Sequence, residues 1–511
     1  MLTAKSIVDR FCPLFMRGCK NRLEASPLGY RLARGAFWSL AGSIIARGLA
    51  LLSGIAVARI LGKQGFGELN MIQSTLGLFG IVAGFGLGMT ATRYVAEFRQ
   101  KDSKRAARII ALSSATSWFT SGLMALMLVI LAPWIATRAL AAPQLAGSLR
   151  LGALLLLFGG VNSAQNGALS GFEAFKAISR ISLLTGLLAF PVVVAGAWMA
   201  GVTGALCGLV SNYGFNCWLN WLALREEAAK ANVALSYRSC LREWGLFWRF
   251  NVPGVLNALA LSFGPWVCSA MLVQQADGYS DMGVFNAVKR FRDGPELLVG
   301  MLMAPMLPVL SEAFGRKDWA SYGKTLAVGY ATCTLLIIPA ALLQLAAPWL
   351  TLLPFGKGYQ GNETVVCWIM AGSVLYGLIW PMGAVVVSMG QMWLVFGVIL
   401  SYICLYVVLG VFLIPDHGAI GCAAAWTISF AVGNGPCVVF LYSRLGGVMR
   451  RIQWAEMACF SCGLLLLLWW VSSVTTRIVG LTLGLVAVVT FVACWLYAYR
   501  KVLNAPAGVW V

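Results

Sequence analysis

Gly67-Glu-Leu-Asn70 recurs further along the chain as Gly283-Val-Phe-Asn286, at an offset of 216 in residue number (283 − 67). Two other short matches share nearly the same offset: Lys101-Asp102 with Lys317-Asp318 at 216 (317 − 101), and Gly201-Val-Thr-Gly204 with Gly418-Ala-Ile-Gly421 at 217 (418 − 201). The common offset indicates one long repeat rather than three chance matches. Two similar halves in the same orientation, inside a membrane, are typical of transporters that bind their substrate between the halves.

The composition predicts a membrane protein. Hydrophobic residues make up 60% of the chain, charged residues only 11%, and the mean hydropathy is +0.81, whereas soluble proteins contain about 25% charged residues. A bilayer is spanned by about 20 apolar residues in a helix. We therefore predict an all-α polytopic membrane protein with about fourteen transmembrane helices, at 36–61, 68–91, 109–131, 149–170, 181–199, 202–224, 250–273, 283–311, 325–347, 364–387, 393–414, 419–441, 456–474 and 478–499.

The repeat divides these helices into two halves in the same orientation. Segments 36–224 and 250–441 are the halves, and 225–249 links them on the cytoplasmic side. A basic cytoplasmic segment is predicted over 1–35, two extra transmembrane helices over 456–499, and a cytoplasmic tail over 500–511.

Basic residues orient the chain. With both termini in the cytoplasm, the inner segments carry 28 Lys and Arg and the outer loops carry six, which is the bias expected of cytoplasmic loops. The net charge of +20 lies mainly on these inner segments. It therefore favours anionic membrane lipids as partners rather than nucleic acid.

Several function classes fit poorly. There is no large soluble loop to hold paired catalytic carboxylates, and no Gly-x-x-x-x-Gly-Lys-Ser/Thr stretch for ATP. The only Cys-x-x-Cys, Cys459-Phe-Ser-Cys462, has no second ligand pair. The sequence thus predicts neither an enzyme nor a metal or cofactor site.

The remaining four basic residues lie within apolar runs. They are Arg47, Lys289, Arg290 and Arg292, and the last three share one predicted helix with Asp293 and Glu296. Charges inside a bilayer usually face a cavity or a partner. Internal pairing of Lys289 with Asp293 and of Arg292 with Glu296 is one interpretation. Because basic residues outnumber the acids, a cationic cavity that binds phosphate is the other.

Uncharged polar residues also recur within the predicted helices. Side-chain amides both donate and accept hydrogen bonds, as recognition of sugar hydroxyls requires, although ordinary hydrogen bonds between helices would use the same residues. The candidates for a polar cavity are Asn162, Gln165, Asn166, Asn212, Asn216 and Asn257.

Four stretches combine spaced glycines with apolar positions: Ala58-Arg59-Ile-Leu-Gly62, Gly84-Phe-Gly86-Leu-Gly88, Arg93-Tyr-Val-Ala-Glu97 and Phe355-Gly-Lys-Gly-Tyr359. They resemble the polysaccharide-transport family, which includes Wzx-type O-antigen flippases, and the likeness covers residues 30 to 445. That family belongs to the superfamily of multidrug, oligosaccharidyl-lipid and polysaccharide exporters. The resemblance implies two pseudo-symmetric six-helix bundles in parallel repeat around a central cavity, plus two C-terminal helices.

The resemblance implies a flippase of the bacterial cytoplasmic (inner) membrane that serves lipopolysaccharide or exopolysaccharide biosynthesis. Its cargo would be an oligosaccharide linked to polyprenyl (pyro)phosphate, held by Arg47, Lys289, Arg290 and Arg292. Asp293 and Glu296 are candidates for H⁺ or Na⁺ coupling, and polysaccharide polymerase and glycosyltransferases are candidate partners. Two alternatives remain: a cation-coupled multidrug exporter of the same superfamily, and a membrane enzyme of polysaccharide assembly.

Overall fold

The computed structural model describes residues 27–84, 86–99, 101–231, 233, 244–303, 306–441, 443, 488–489 and 491–492. This part of the chain is all-α and contains no strand. Its helices are α1 (Pro27–Gly84), α2 (Leu87–Phe98), α3 (Ser103–Trp134), α4 (Ala146–Gly171), α5 (Phe175–Lys230), α6 (Trp244–Val273), α7 (Gly278–Met303), α8 (Met306–Gly315), α9 (Trp319–Ala346), α10 (Pro348–Leu352), α11 (Glu363–Ser388) and α12 (Met392–Gly433).

Three of these helices are pairs of helical arms joined at a glycine. The backbone leaves helical geometry at Gly62 in α1, at Gly201 in α5 and at Gly418 in α12, with φ of 68°, 59° and 52°. Positive φ strains other residues but not glycine, so the chain can change direction at these glycines without a separate loop. Each break lies between two apolar runs that the sequence predicts to be separate transmembrane helices.

The repeat in the sequence is a repeat in the structure. The first residues of α3 and α9 differ by 216 in number (319 − 103), whereas those of α4 and α11 differ by 217 (363 − 146), as do those of α5 and α12 (392 − 175). The repeated Lys-Asp pair ends in an N-cap: Asp102 accepts a hydrogen bond from the Arg105 amide at 2.9 Å, and Asp318 from the Ser321 amide at 3.0 Å. Matching residues therefore make matching contacts in the two halves.

The outside of the protein is apolar, as a bilayer requires. Within the described residues, eight helices are long and apolar enough to cross a membrane. Large apolar side chains such as Ile130 and Phe412 are 67% and 69% exposed, and Trp198 and Trp393 are exposed near helix ends, where membrane interfaces favour tryptophan. The protein is thus a multi-pass membrane protein, and the all-α prediction is confirmed.

The total of fourteen helices and the domain boundaries stay predictions. Most of the two C-terminal runs, 456–474 and 478–499, lies outside the described residues. So do residues 1–26 of the predicted N-terminal segment, residues 232 and 234–243 of the linker between the bundles, the tail over 500–511, and Cys459 and Cys462.

The two halves meet where α1 packs along α7. Gly67 of α1 lies against the backbone carbonyl of Tyr279, and Gly283 of α7 lies against that of Lys63. Tyr279 and Lys63 are themselves related by the offset of 216 (279 − 63), so the contact has twofold pseudo-symmetry. Only residues without a side chain allow backbones to approach this closely. We call this region the glycine end of the seam.

The connection between α10 and α11, in the second half, covers the glycine end. The Tyr359 hydroxyl donates a hydrogen bond to the Ala58 carbonyl oxygen at 3.3 Å, and the Phe355 ring packs 6.4 Å from that of Phe66. The predicted orientation places this end on the exterior side. The halves are therefore held together here by backbone contact and by aromatic packing.

Candidate functional site

A cavity of about 560 Å³ lies between the halves, on the seam of α1 and α7. Arg47, near the middle of the first arm of α1, contributes one wall. The polar residues of the lining are Arg47, Asn70, Asn286, Lys289, Arg290 and Asp293. We refer to it as the seam cavity.

The helical period explains why these residues of α7 share the cavity. Asn286, Lys289, Arg290 and Asp293 lie at spacings of three, four and seven, so they occupy one helix face. That face is directed at α1. Gly294 and Pro295 follow on the same helix and also line the cavity.

Arg290 reaches across the seam from α7 to α1. Its guanidinium packs against Gly54, which has no side chain to displace it. Its Cζ atom lies 5.1 Å from the centre of the Phe66 ring, so the cation contacts an aromatic face. These contacts fix the guanidinium at the contact between the halves, where its remaining donors are available to a ligand.

Two asparagines of the cavity were not among the residues selected from the sequence. Asn70 and Asn286 are the fourth residues of the two Gly-x-x-Asn matches. The Asn70 amide donates to the Phe66 carbonyl oxygen at 2.6 Å, and the Asn286 amide donates to that of Met282 at 2.9 Å. Their shared place in the repeat was the available signal, because both follow the glycines at which α1 and α7 meet and both line the cavity.

Arg292 is directed away from this face, toward α12. Its guanidinium pairs with Asp293 at 3.0 Å and with Glu296 at 3.3 Å, and its Cζ lies 4.5 Å from the centre of the Trp426 ring. Glu296 in turn accepts a hydrogen bond from Ser373 at 3.2 Å. The structure therefore shows the Arg292–Glu296 ion pair that the sequence gave as one of two interpretations, and it places Arg292 inside the second half, away from the cavity face of Lys289 and Arg290.

The charge balance of the seam cavity is positive. Among the described residues that line it, Arg47, Lys289 and Arg290 are basic and Asp293 is acidic. The Asp293 side chain is 51% exposed and already contacts Arg292. The lining can therefore hold an anion, and guanidinium donors match the oxygens of a phosphate well.

The amides selected from the sequence occupy other places. Asn162, Asn216 and Asn220 form a hydrogen-bonded cluster between α4 and α5, with Asn220 donating to Asn162 at 3.3 Å and to Asn216 at 2.6 Å. Asn212 donates to the Thr185 carbonyl oxygen at 2.8 Å. The Asn220–Asn162 contact joins two helices and the Asn212–Thr185 contact joins the two arms of α5, whereas Asn220 and Asn216 lie one turn apart on the same arm. The first two are the interhelical hydrogen bonds that the sequence left open as the alternative to sugar binding.

The other three amides are separate from this cluster. Asn166 is half-buried on α4, and Asn257 is exposed on α6. Gln165 is buried and lines a different cavity, on the first half. A polar cavity made by all six selected residues is thus not assembled here, and a sugar-binding role for them stays a prediction.

Replacing Arg292 with methionine is expected to destabilise the protein. The side chains of Arg292 and Glu296 are only 11% and 12% exposed, and breaking a buried ion pair on one side costs about 3–5 kcal/mol. Arg292→Met combined with Glu296→Gln should regain most of the loss, because the neutral amide needs no counter-charge. Thermal unfolding of the purified variants in detergent measures both effects, with Glu296→Gln alone as the control. A double variant no more stable than Arg292→Met would contradict the pairing role.

Comparison with known proteins agrees with this architecture. Residues 32–314, more than half of the chain, match the family described as "Polysaccharide biosynthesis protein". The lipid III flippase of Escherichia coli (strain K12) is 25% identical over 422 residues, which cover 81% of this chain and 99% of that protein.

Solved structures show the same fold at low sequence identity. The lipid II flippase MurJ, in an inward closed conformation, superposes with a TM-score of 0.65 at 14% identity, covering 91% of this chain and 99% of that one. An inward-facing multidrug resistance MATE family transporter of the MOP superfamily gives a TM-score of 0.62 at 15% identity, covering 81% and 99%. The resemblance carried by the spaced glycines is confirmed, and the chain belongs to the polysaccharide biosynthesis protein family.

Proposed function

We propose that this protein is a flippase that moves a lipid-linked oligosaccharide across the bacterial cytoplasmic membrane for polysaccharide biosynthesis. The observation that carries the proposal is the seam cavity, in which Arg47, Lys289 and Arg290 meet between two pseudo-symmetric halves. Family membership and the similarity to the lipid III flippase support it. A lipid-linked oligosaccharide carries a phosphate or pyrophosphate, and that is the group these cations suit.

The mechanism follows from the position of the cavity. The cations and the two seam asparagines, Asn70 and Asn286, replace the water around the charged headgroup while the lipid chain stays in the bilayer. Rocking of the halves about the seam then exposes the cavity to one side of the membrane and afterwards to the other. Closure of the glycine end would correspond to the state in which the exterior side is shut.

Orientation and coupling are parts of the proposal. The distribution of Lys and Arg supports cytoplasmic termini. We assign coupling to H⁺ or Na⁺ to Asp293 first, because its half-exposed carboxylate lines the cavity, and to Glu296 second. In this scheme glycosyltransferases supply the cargo on the inner face, and a polymerase consumes it on the outer face.

The competing transport function fits the cavity less well. A multidrug exporter for cations would need an excess of acidic groups, and the described lining has three basic residues to one acidic residue. The similarity to the MATE structure supports a common fold but says nothing about which cargo is transported. An enzyme of polysaccharide assembly has no comparable support from the relatives.

The lipid-linked intermediates of a strain that lacks this gene test the proposal. We expect complete repeat units to accumulate in the inner leaflet, because synthesis continues while translocation stops. Enzymatic labelling of sugars on intact spheroplasts, compared with lysed cells, measures which leaflet holds them. Single units exposed on the outside would indicate a polymerase instead. Unchanged intermediates would indicate a transporter with a different cargo, and either result would overturn the proposal.

A further inference from the structure

The connection between α10 and α11 contains a short segment, residues 353–359, that we call the strap. The strap belongs to the second half but is fastened to α1 of the first half. The Tyr359 hydroxyl donates to the Ala58 carbonyl oxygen at 3.3 Å, and the Arg59 side chain donates to the Pro354 carbonyl oxygen. Because these contacts cross from one half to the other, they must break when the halves separate at this end.

Four aromatic side chains connect the strap to the seam. The centre of the Phe355 ring lies 6.4 Å from that of Phe66 on α1, 5.9 Å from that of Phe291 on α7, and 5.4 Å from that of Tyr359. Phe66, Phe355 and Tyr359 are at most 2% exposed. We call these four residues the aromatic cluster. Protein interiors are close-packed, so a shift of one ring requires its neighbours to move.

The aromatic cluster ends at a cation of the seam cavity. The Cζ atom of Arg290 lies 5.1 Å from the centre of the Phe66 ring, and the same residue lines the cavity. One guanidinium therefore supports Phe66 and is also within reach of a ligand. A phosphate in the cavity competes with the ring for this cation, and its charged oxygens are stronger partners for a guanidinium than a neutral ring.

The first half has no equivalent of this arrangement. The corresponding connection, over 135–145, contains no aromatic residue, and Phe66 and Arg290 correspond by the offset of 216 to Met282 and Ser74. This connection meets the other half through backbone carbonyls alone among its listed hydrogen bonds across the seam, such as that of Ala139, which accepts from Gln274 at 3.0 Å. The aromatic cluster thus occurs only in the half that also carries the cations of α7.

We propose that the strap is an exterior lid that opens in response to cargo. Phosphate binding at Arg290 draws the guanidinium away from Phe66, loosens the aromatic cluster and frees the strap from α1. When the cargo leaves, Arg290 regains Phe66 and the strap closes again. This inference rests on the proposed function, because it takes the bound phosphate to be that of the cargo.

The test is hydrogen–deuterium exchange of the full-length protein in detergent, with and without farnesyl pyrophosphate, a probe that has a prenyl chain and a pyrophosphate. The amides of Gly356 and Tyr359 are hydrogen-bonded within the strap at 3.2 Å, so their exchange reports its opening. We expect the probe to accelerate exchange of the strap about tenfold, which corresponds to loss of one buried cation–ring contact. Exchange over 135–145 is the internal control and should change less.

A variant of Phe66 tests whether the ring transmits the signal. Phe66→Leu keeps an apolar side chain but removes the face that contacts Arg290. We expect its strap to exchange rapidly without the probe and to respond no further when the probe is added. Phe412→Leu changes a ring that is 69% exposed on the outside of the protein, and it should behave like the unmodified protein.

Binding of the probe, measured by native mass spectrometry, separates this inference from the proposed function. Binding to the unmodified protein with unchanged or slower exchange of the strap would overturn the lid and leave the phosphate site intact. Absence of binding would overturn the phosphate site itself, and with it the proposed function. A full response to the probe in Phe66→Leu would also overturn the lid mechanism. If Phe66→Leu fails to fold, the response of the unmodified protein still decides.

Discussion

Replacing Arg290 with alanine is expected to lower polymer export by about 10- to 100-fold while the protein remains folded in the membrane. Arg290 lies on the seam, against Gly54 of the opposite half, and lines the cavity. A charge-assisted hydrogen bond contributes about 1.5–3 kcal/mol, and about 1.4 kcal/mol corresponds to a tenfold change. Quantification of surface polysaccharide in a deletion strain that carries the variant measures the effect.

Matched variants separate a role in cargo binding from loss of charge in general. Arg290→Lys should keep part of the activity, because it keeps the charge and loses the planar guanidinium. Arg150→Ala removes an exposed arginine from α4, and export should stay near the unmodified level. Normal export by Arg290→Ala, at normal protein abundance, would be incompatible with a phosphate site in the seam cavity.

Gly67→Ala and Gly283→Ala are expected to prevent closure of the glycine end. In each case the added methyl group would overlap a backbone carbonyl of the other half, that of Tyr279 or of Lys63, which cannot rotate away. Overpacking of this kind costs about 1–3 kcal/mol, enough to shift a two-state equilibrium by about 5- to 150-fold. Export should fall strongly in both variants, because a halted conformational cycle moves no cargo.

Cysteine labelling tests the direction of this shift. Asn70 is buried at 8% exposure just beyond Gly67, so Asn70→Cys in a cysteine-free background should resist a membrane-impermeant maleimide added from outside. Addition of Gly67→Ala should make it reactive. Gly77→Ala meets no neighbouring atom within 4 Å and serves as the control. Unchanged labelling and export in Gly67→Ala would show that this contact does not control access.

Most of the fold could be predicted from the sequence because two simple patterns, apolar runs and an internal repeat, indicate the membrane helices and their arrangement. Apolar runs set the helices, and the repeat of Gly67 at Gly283 set the relation between halves. Gly62, Gly201 and Gly418 also separate predicted helices where the structure breaks them. The three seam cations Arg47, Lys289 and Arg290 were found because a charge within an apolar run is rare and therefore informative.

The sequence was less informative about which side of a helix a residue faces. Arg292 and Lys289 are three residues apart, and spacing alone allowed both to face one cavity, yet Arg292 turns to Trp426 and Glu296. The partners on α11 and α12 decide that direction, and they are distant in sequence. The same reason explains Asn162 on α4, which accepts a hydrogen bond from Asn220 on α5, a contact that no local pattern records.

The contact of Gly67 with Gly283 has a meaning for the ancestry of the chain. Gly67 meets Tyr279, and Gly283 meets Lys63, the residue that corresponds to Tyr279. Such a reciprocal contact is called isologous, and it is the kind that two identical subunits make around a twofold axis. A half-length ancestor that dimerised in this way would already have possessed the seam, and gene duplication with fusion would then have joined its two copies. In such a dimer every charge beside the axis would occur twice. Lys289 and Arg290 correspond by the offset of 216 to the uncharged Gln73 and Ser74, so the cationic site departs from the symmetry that such an ancestor would have had.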